Sequence, residues 1–363
     1  MKGEVLNYQL VFVNYITSIK TAILIFPFIA FLFTVPFILY QYHKYGSINK
    51  LRGLIVYSFI LYLITIYFLV ILPLPKASEV TLKEGMVRLI PFTFIKDFIS
   101  ETSLVINNPK TYIKALAEPC FYTIVFNILM TIPFGMYLRY YFKCNLKKTI
   151  IFSFLLSLFF EVTQLTGLYY IYDYPYRVFD VDDLIINTIG GLIGYLIMGL
   201  FKNILPSREK IDEDSFRSGR KVSGLRRVCV FLLDLFIFII ISLIFKSYYI
   251  KALIFIFCYL FIPYVTKGKT LGGCFLNVRC DSDDNKIIRA FLKNVFIYFY
   301  YFGIPMFIIF AKNYLNVMSL LFIMIIFIFY INNVFSLLKK GKAYYDDIFK
   351  ITYESTIKGD NDG

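Results

Sequence analysis

The apolar residues come in blocks about twenty long, separated by short polar stretches. Blocks of that length read as membrane spans. Nine of them predict nine helices, roughly at 20–40, 54–72, 119–141, 148–167, 184–205, 228–245, 249–265, 291–311 and 314–337. Each is long enough to cross a hydrocarbon core of ~30 Å at ~1.5 Å per residue. The first follows a stretch of mixed polarity and has no small-residue cleavage site behind it. It therefore reads as a retained span rather than a signal peptide.

A charged stretch, 206–221, follows the fifth block and carries both signs of charge, as a cytoplasmic hinge does. The fold class expected is an all-α integral membrane protein of about nine transmembrane helices in two bundles, five plus four. The organisation expected is a first helix with its cytoplasmic loop (1–53), a membrane domain (54–205), the linker (206–221), a second membrane domain (222–355) and a polar tail (356–363). No internal repeat links the halves, so an inverted-repeat transporter is not predicted. The 73–118 loop is not plainly hydrophilic. Leu89, Ile90, Phe92, Phe94, Ile95, Phe98 and Ile99 crowd between Arg88, Lys96 and Asp97. Two placements fit, an interfacial or re-entrant segment on the outer leaflet and a small extracellular cap.

Composition removes the soluble alternatives. Hydrophobic residues make up 59% of the 363 and charged residues 17%, against ~45–50% and ~25% in ordinary soluble domains. Disorder, collagen, a disulfide-stapled secreted scaffold and a plain cytosolic enzyme are excluded. The net charge of +14 comes from 38 basic and 24 acidic residues. The basic residues flank the apolar blocks, so they speak for topology and the lipid bilayer rather than for nucleic acid. Most of them fall in 41–53, 139–148, 202–227, 267–293 and 338–363. That bias predicts the N-terminus outside and the C-terminus in the cytoplasm, in a plasma membrane. Cys120 is the one cysteine near the outer face, so no structural disulfide is expected.

Scarce polar residues gather in the first bundle. Asn127 lies two turns into the third span, ahead of Pro133-Phe134-Gly135. Glu161 and Gln164, three apart, share one face of the fourth. Asp180, Asp182 and Asp183 stand at the outer mouth of the fifth, with Asn187 one turn inside. Gly190, Gly191 and Gly194 then offer a smooth face for close packing. Asn127, Glu161 and Asn187 come to lie at similar depth, roughly 6–12 Å below the outer surface. A carboxylate in hydrocarbon costs ~2.5–3.5 kcal/mol on insertion scales, so Glu161 needs a partner, a proton or a water-filled cavity. Arg177 and Arg88 are the cations within reach. Two arrangements satisfy this, a Glu–Arg pair that only fixes helix packing and an outward-facing polar pocket. We expect the pocket. The three aspartates suit either a divalent cation or a helix cap that complements the dipole. We expect a cap at Asp180 or Asp182.

The run Glu161-Val-Thr-Gln164, Arg177-Val-Phe-Asp180-Val-Asp182-Asp183 and Asn187-Thr-Ile-Gly190-Gly191-Leu-Ile-Gly194 closely resembles the signature of VanZ-like membrane proteins. Arg88-Leu-Ile-Pro91-Phe92 resembles that family's Arg-x-Asn-x-x-Pro-Phe segment, without the Asn and with shorter spacing. Asn127 with Pro133-Phe134-Gly135 resembles its second motif. The resemblance covers about residues 50–205. It implies a cell-envelope role in Gram-positive bacteria, reduced susceptibility to teicoplanin-type glycopeptides, and no particular reaction.

In the second bundle, Asp234 follows Arg227 by two helical turns, so both point the same way about 10 Å apart. Arg227, Asp234 and Asp347, with Asp346 as alternative for the last, resemble the Arg and two Asp of the RDD family over about residues 215–355. Some RDD-like proteins are linked to cation–proton exchange. Asp234 is read either as a titrating or cation-binding group or as part of an Arg–Asp pair closing the bundle, and we expect the pair. Asp281-Ser-Asp283-Asp-Asn285 starts like a calcium loop, but Lys286 and Leu292 stand where its Gly and Glu belong. It reads as a turn after a short strand at 275–280. His43 has no second ligand nearby, and no phosphate loop, zinc motif or serine elbow is present. No metal and no cofactor are called.

The leading expectation is a pocket made by Arg88, Asn127, Glu161, Gln164, Arg177, Asp180, Asp182, Asp183 and Asn187. It binds or shields a polar group at the outer leaflet, for which a cell-wall precursor lipid or a lipid-tailed glycopeptide fits. A cation–proton exchanger using Asp234 is the second hypothesis. An enzyme on a lipid-linked substrate, with Glu161 as general acid or base, is the third. No nucleophile or oxyanion donor set accompanies Glu161, which places it last.

Overall fold

A computed structural model of the chain describes residues 2–105, 107–116, 118–201, 204–280, 284–310 and 317–357. The chain forms two compact units, Met1–Leu32 with Leu51–Lys210, and Phe33–Lys50 with Ile211–Gly363. Helix α1 (Lys2–Tyr45) contributes to both. It runs well beyond the span expected at 20–40.

In the first unit α1 is followed by α2 (Lys50–Ile71), strand β1 (Val87–Arg88), α3 (Thr93–Glu101) and the short α4 (Tyr112–Leu116). Then come α5 (Pro119–Tyr140), α6 (Leu146–Leu165), a left-handed turn α7 (Gly167–Tyr170), β2 (Phe179–Asp180) and α8 (Val181–Leu200). Helix α9 (Arg208–Gly219) leads into the second unit. The packing centre of the first unit is α8 against α5 and α6. Glycines set how close these helices come. A Cβ at Gly194 would stand 1.9 Å from Ile132 O, and one at Gly191 2.0 Å from Ser153 Oγ. Only glycine admits backbones at that separation. The segment between α2 and α5 is tied in by a parallel bridge that pairs Val87 with Phe179 and Arg88 with Asp180. At the left-handed turn, a Cβ on Gly167 (φ +58) would meet Tyr172 O at 2.6 Å, so glycine is required there twice over.

The second unit continues through α10 (Gly224–Leu243), α11 (Tyr248–Ile256), α12 (Ile262–Val265), α13 (Leu271–Phe275) and β3 (Val278–Cys280). It ends with α14 (Asp284–Tyr298), α15 (Ile304–Phe310), α16 (Val317–Lys340), α17 (Tyr344–Phe349) and β4 (Tyr353–Ser355). Strands β3 and β4 pair antiparallel, Val278 with Ser355 and Cys280 with Tyr353. The strand expected at 275–280 is therefore half as long, because Leu271–Phe275 coils as α13. Its following turn at 281–283 lies outside the described residues, as do 314–316 of the ninth expected span and 358–363 of the tail.

The molecule is nearly all-α, with two small two-stranded sheets. Among the described residues seven helices are long and apolar enough to cross a membrane, against the nine expected. Helix α10 stands apart because Arg226, Arg227 and Asp234 lie within its 20 residues. In α16 the apolar stretch described, Ile323–Lys339, is shorter.

Candidate functional site

Three helices of the first unit carry small and polar residues four apart. On α5 these are Asn127, Thr131 and Gly135. On α6 they are Thr149, Ser153, Ser157 and Glu161. On α8 Asp183 and Asn187 precede Gly190, Gly191 and Gly194. A spacing of four stacks side chains on one helix face. These faces meet, and all four α6 residues are at most 3% exposed.

At one end the seam widens into a partly open cavity of about 520 Å³. Asn127, Glu161, Gln164 and Asn187 line it from the helices, and Arg177, Asp180 and Asp183 from the chain entering α8. Arg88 and Asp182, also chosen from the sequence, stand outside this lining. Tyr15 and Phe126, whose rings stack at 4.5 Å, supply part of the apolar wall.

The polar groups are held as follows. Glu161 Oε2 accepts from the Asp180 N–H at 3.0 Å. Arg177 does not pair with it directly. Its Nη1 and Nη2 donate to the carbonyls of Val70 (2.6 Å) and Leu72 (3.1 Å) where α2 ends. Gln164 Nε2 donates to the same Val70 carbonyl at 3.1 Å. Asn127 Nδ2 donates to Asp183 Oδ1 at 2.8 Å. Ser157 Oγ gives its proton to the Asp183 carbonyl at 3.1 Å, and so accepts from Asn187 Nδ2 at 2.9 Å. That fixes the orientation of the Asn187 amide. Its Oδ1 is buried without a hydrogen-bond partner, on a side chain 4% exposed. A buried carboxylate lacking a cation costs several kcal/mol unless hydrogen bonds or a ligand offset it.

The aspartates divide three tasks. Asp180 caps α8, its Oδ1 accepting from the Asp182 N–H at 2.9 Å, while its Oδ2 lies 3.9 Å from Arg88. Burial pushes its carboxyl above the usual range, and the Asp182 N–H opposes the shift. Asp182 accepts from Phe92 N (2.5 Å), Thr93 Oγ1 (2.6 Å) and Phe94 N (2.9 Å), so it fastens the start of α3. Asp183 meets Asn127. Among the described residues no cluster of His, Cys, Asp or Glu is arranged to hold a metal. Sequence reasoning missed Thr149, Ser153 and Ser157, although their period of four with Glu161 was readable. It also missed the Val70 and Leu72 carbonyls, for which no side chain gives a signal.

In the second unit Arg227 is buried and pairs with Asp346 at 2.7 Å. Asp346, rather than Asp347, is thus the acidic partner. Asp347 is exposed and pairs with Lys342 at 3.1 Å. The Arg227–Asp234 closure also does not form. Asp234 accepts from Thr270 Oγ1 and Gly272 N, both at 2.6 Å, and so anchors the start of α13. Arg227, Asp234 and the buried Lys293 line a cavity of about 440 Å³. Arg226, without a role in the sequence reading, is fully buried. It donates to the carbonyls of Gly46 (3.1 Å), Gly219 (2.9 Å), Leu276 (2.9 Å) and Asn277 (2.8 Å).

Apolar helices of spanning length, with ionisable groups converging on a cavity between them, define a multi-pass membrane protein. The family model described as VanZ/LLP1 matches residues 59–202, which include every cavity residue except Tyr15. This part of the chain is similar to that family. No curated protein and no solved structure matches the chain. The family match does not extend into the second unit.

Proposed function

We propose that the VanZ-like domain binds or shields a polar group of a lipid-linked ligand at the outer leaflet, and so lowers susceptibility to teicoplanin-type glycopeptides. One observation carries this: Asn127, Glu161, Arg177 and Asn187, drawn from three helices and a loop, share a single cavity. A cell-wall precursor lipid or a lipid-tailed glycopeptide supplies both a polar head for those groups and an apolar part for Tyr15 and Phe126. Binding is favoured over catalysis because, among the described lining residues, no Ser, Cys, His or Lys stands beside Glu161. In this reading the protein lies in the plasma membrane of a Gram-positive bacterium and crosses it nine times, with α10 and α16 included. Its N-terminus is outside and its C-terminus cytoplasmic, as the Lys and Arg bias favours. The second unit is an RDD module. The two internal hydrogen bonds of Asp234 favour an anchoring role there over carriage of a cation.

The test compares teicoplanin susceptibility of cells expressing the wild type and Glu161→Gln at equal membrane abundance. Protection by the wild type that falls at least four-fold in the variant is expected. Equal protection by both, or none by either, refutes the proposal.

A further inference from the structure

We infer that the cavity of the VanZ-like domain takes a primary ammonium group carried by an amphiphile, rather than a phosphate. This rests on the cavity being a binding site. The directions of the hydrogen bonds in its wall lead there. Three amide side chains face it, and each turns its N–H inward to the protein: Asn127 to Asp183, Gln164 to Val70 O, Asn187 to Ser157. Each amide keeps its oxygen and a second N–H. Of these oxygens Asn187 Oδ1 is buried without a hydrogen-bond partner, on a side chain 4% exposed. Glu161 and Asp183 likewise each commit one oxygen to a protein donor and keep the other.

Charge points the same way. Glu161, Asp180 and Asp183 place three carboxyl groups on the lining against the Arg177 guanidinium, and with Arg88 at 3.9 Å from Asp180 the carboxyl groups still outnumber the guanidiniums. Two N–H groups of Arg177 are already turned onto the Val70 and Leu72 carbonyls. A phosphate brings more acceptors and more negative charge to such a wall. An ammonium brings three donors and a positive charge, which is what the unpartnered Asn187 Oδ1 and the clustered carboxylates lack. The stacked rings of Tyr15 and Phe126 add a surface that suits a cation or its alkyl chain.

The test uses the full-length protein in phosphatidylcholine nanodiscs, titrated calorimetrically with octylamine, 1-octanol and octyl phosphate, which share a tail and differ in the head. Empty nanodiscs give the partitioning background. Octylamine is expected to saturate one site at least about ten-fold more tightly than octanol, the size of a single charge-assisted hydrogen bond. Asn187→Ala should weaken it about as much, and Asn187→Asp, which keeps an oxygen there, should restore it. Glu161→Gln gives an independent reading if Asn187→Ala does not fold. Competition by free ethanolamine or by phosphatidylethanolamine added to the nanodisc then separates a soluble amine from a lipid headgroup. Tighter binding of octyl phosphate, or equal binding of octanol, overturns the ammonium assignment while leaving the cavity a binding site. No saturable binding by any of the three overturns both.

Discussion

Within one turn of chain, Asp180, Asp182 and Asp183 accept hydrogen bonds from three different places: the α8 backbone, the start of α3 and Asn127. Asp180 allows a prediction with a definite sign. Its carboxyl is pushed up by burial, so the folded state favours the protonated form and this contribution to stability is lost as pH rises through the raised titration range. Asp180→Asn keeps a capping oxygen and removes the charge. It should be more stable than the wild type at neutral pH and equal to it well below the carboxylate range. Asp180→Ala, which loses the cap, should cost about 1 kcal/mol. Unfolding in detergent across a pH series measures both. At this scale the sequence showed which residues were out of place in a membrane, because an ionisable group in an apolar run stands out by itself. It could not pair them. Asp346 and Asp347 are neighbours on a six-residue helix, too short for a periodic pattern to show which one turns inward to Arg227.

Helices α5, α6 and α8 meet along faces of small and polar residues, and the spacing of Gly190, Gly191 and Gly194 already announced close packing. The consequence is sharp at Gly194. An added methyl would press on the Ile132 carbonyl, a backbone atom that cannot swing aside. Gly194→Ala should destabilise the first unit by about 1–3 kcal/mol, seen as a shifted midpoint in denaturant titration, whereas Gly53→Ala, with open space around it, should not move it. Long apolar helices were legible because lipid demands length and hydrophobicity together. The bridge between β1 and β2 was not, since two residues per strand carry no alternation and the partners lie far apart in the chain. The left-handed turn after α6 was equally hidden. Leu168, Tyr169 and Tyr170 adopt positive φ without the composition that usually marks it.

For the whole molecule, composition alone gave the membrane class, while the number of crossings depends on what is asked of α10. Three charges in 20 residues make it ambiguous by sequence, and the structure gives each an internal partner. The proposed topology has a direct check. In a chain with its other cysteines replaced, Lys83→Cys should react with a membrane-impermeant maleimide on intact cells, and the exposed Cys274 only after permeabilisation. The opposite pattern inverts the assignment. Asp182 has a final implication. Lifting residues 92–94 off the protein would strip its carboxylate of three donors at once and leave a bare anion beside Asp183. The surface segment and the interior charge are thus mechanically joined through one side chain, and anything that tugs on the first alters the electric field felt in the second.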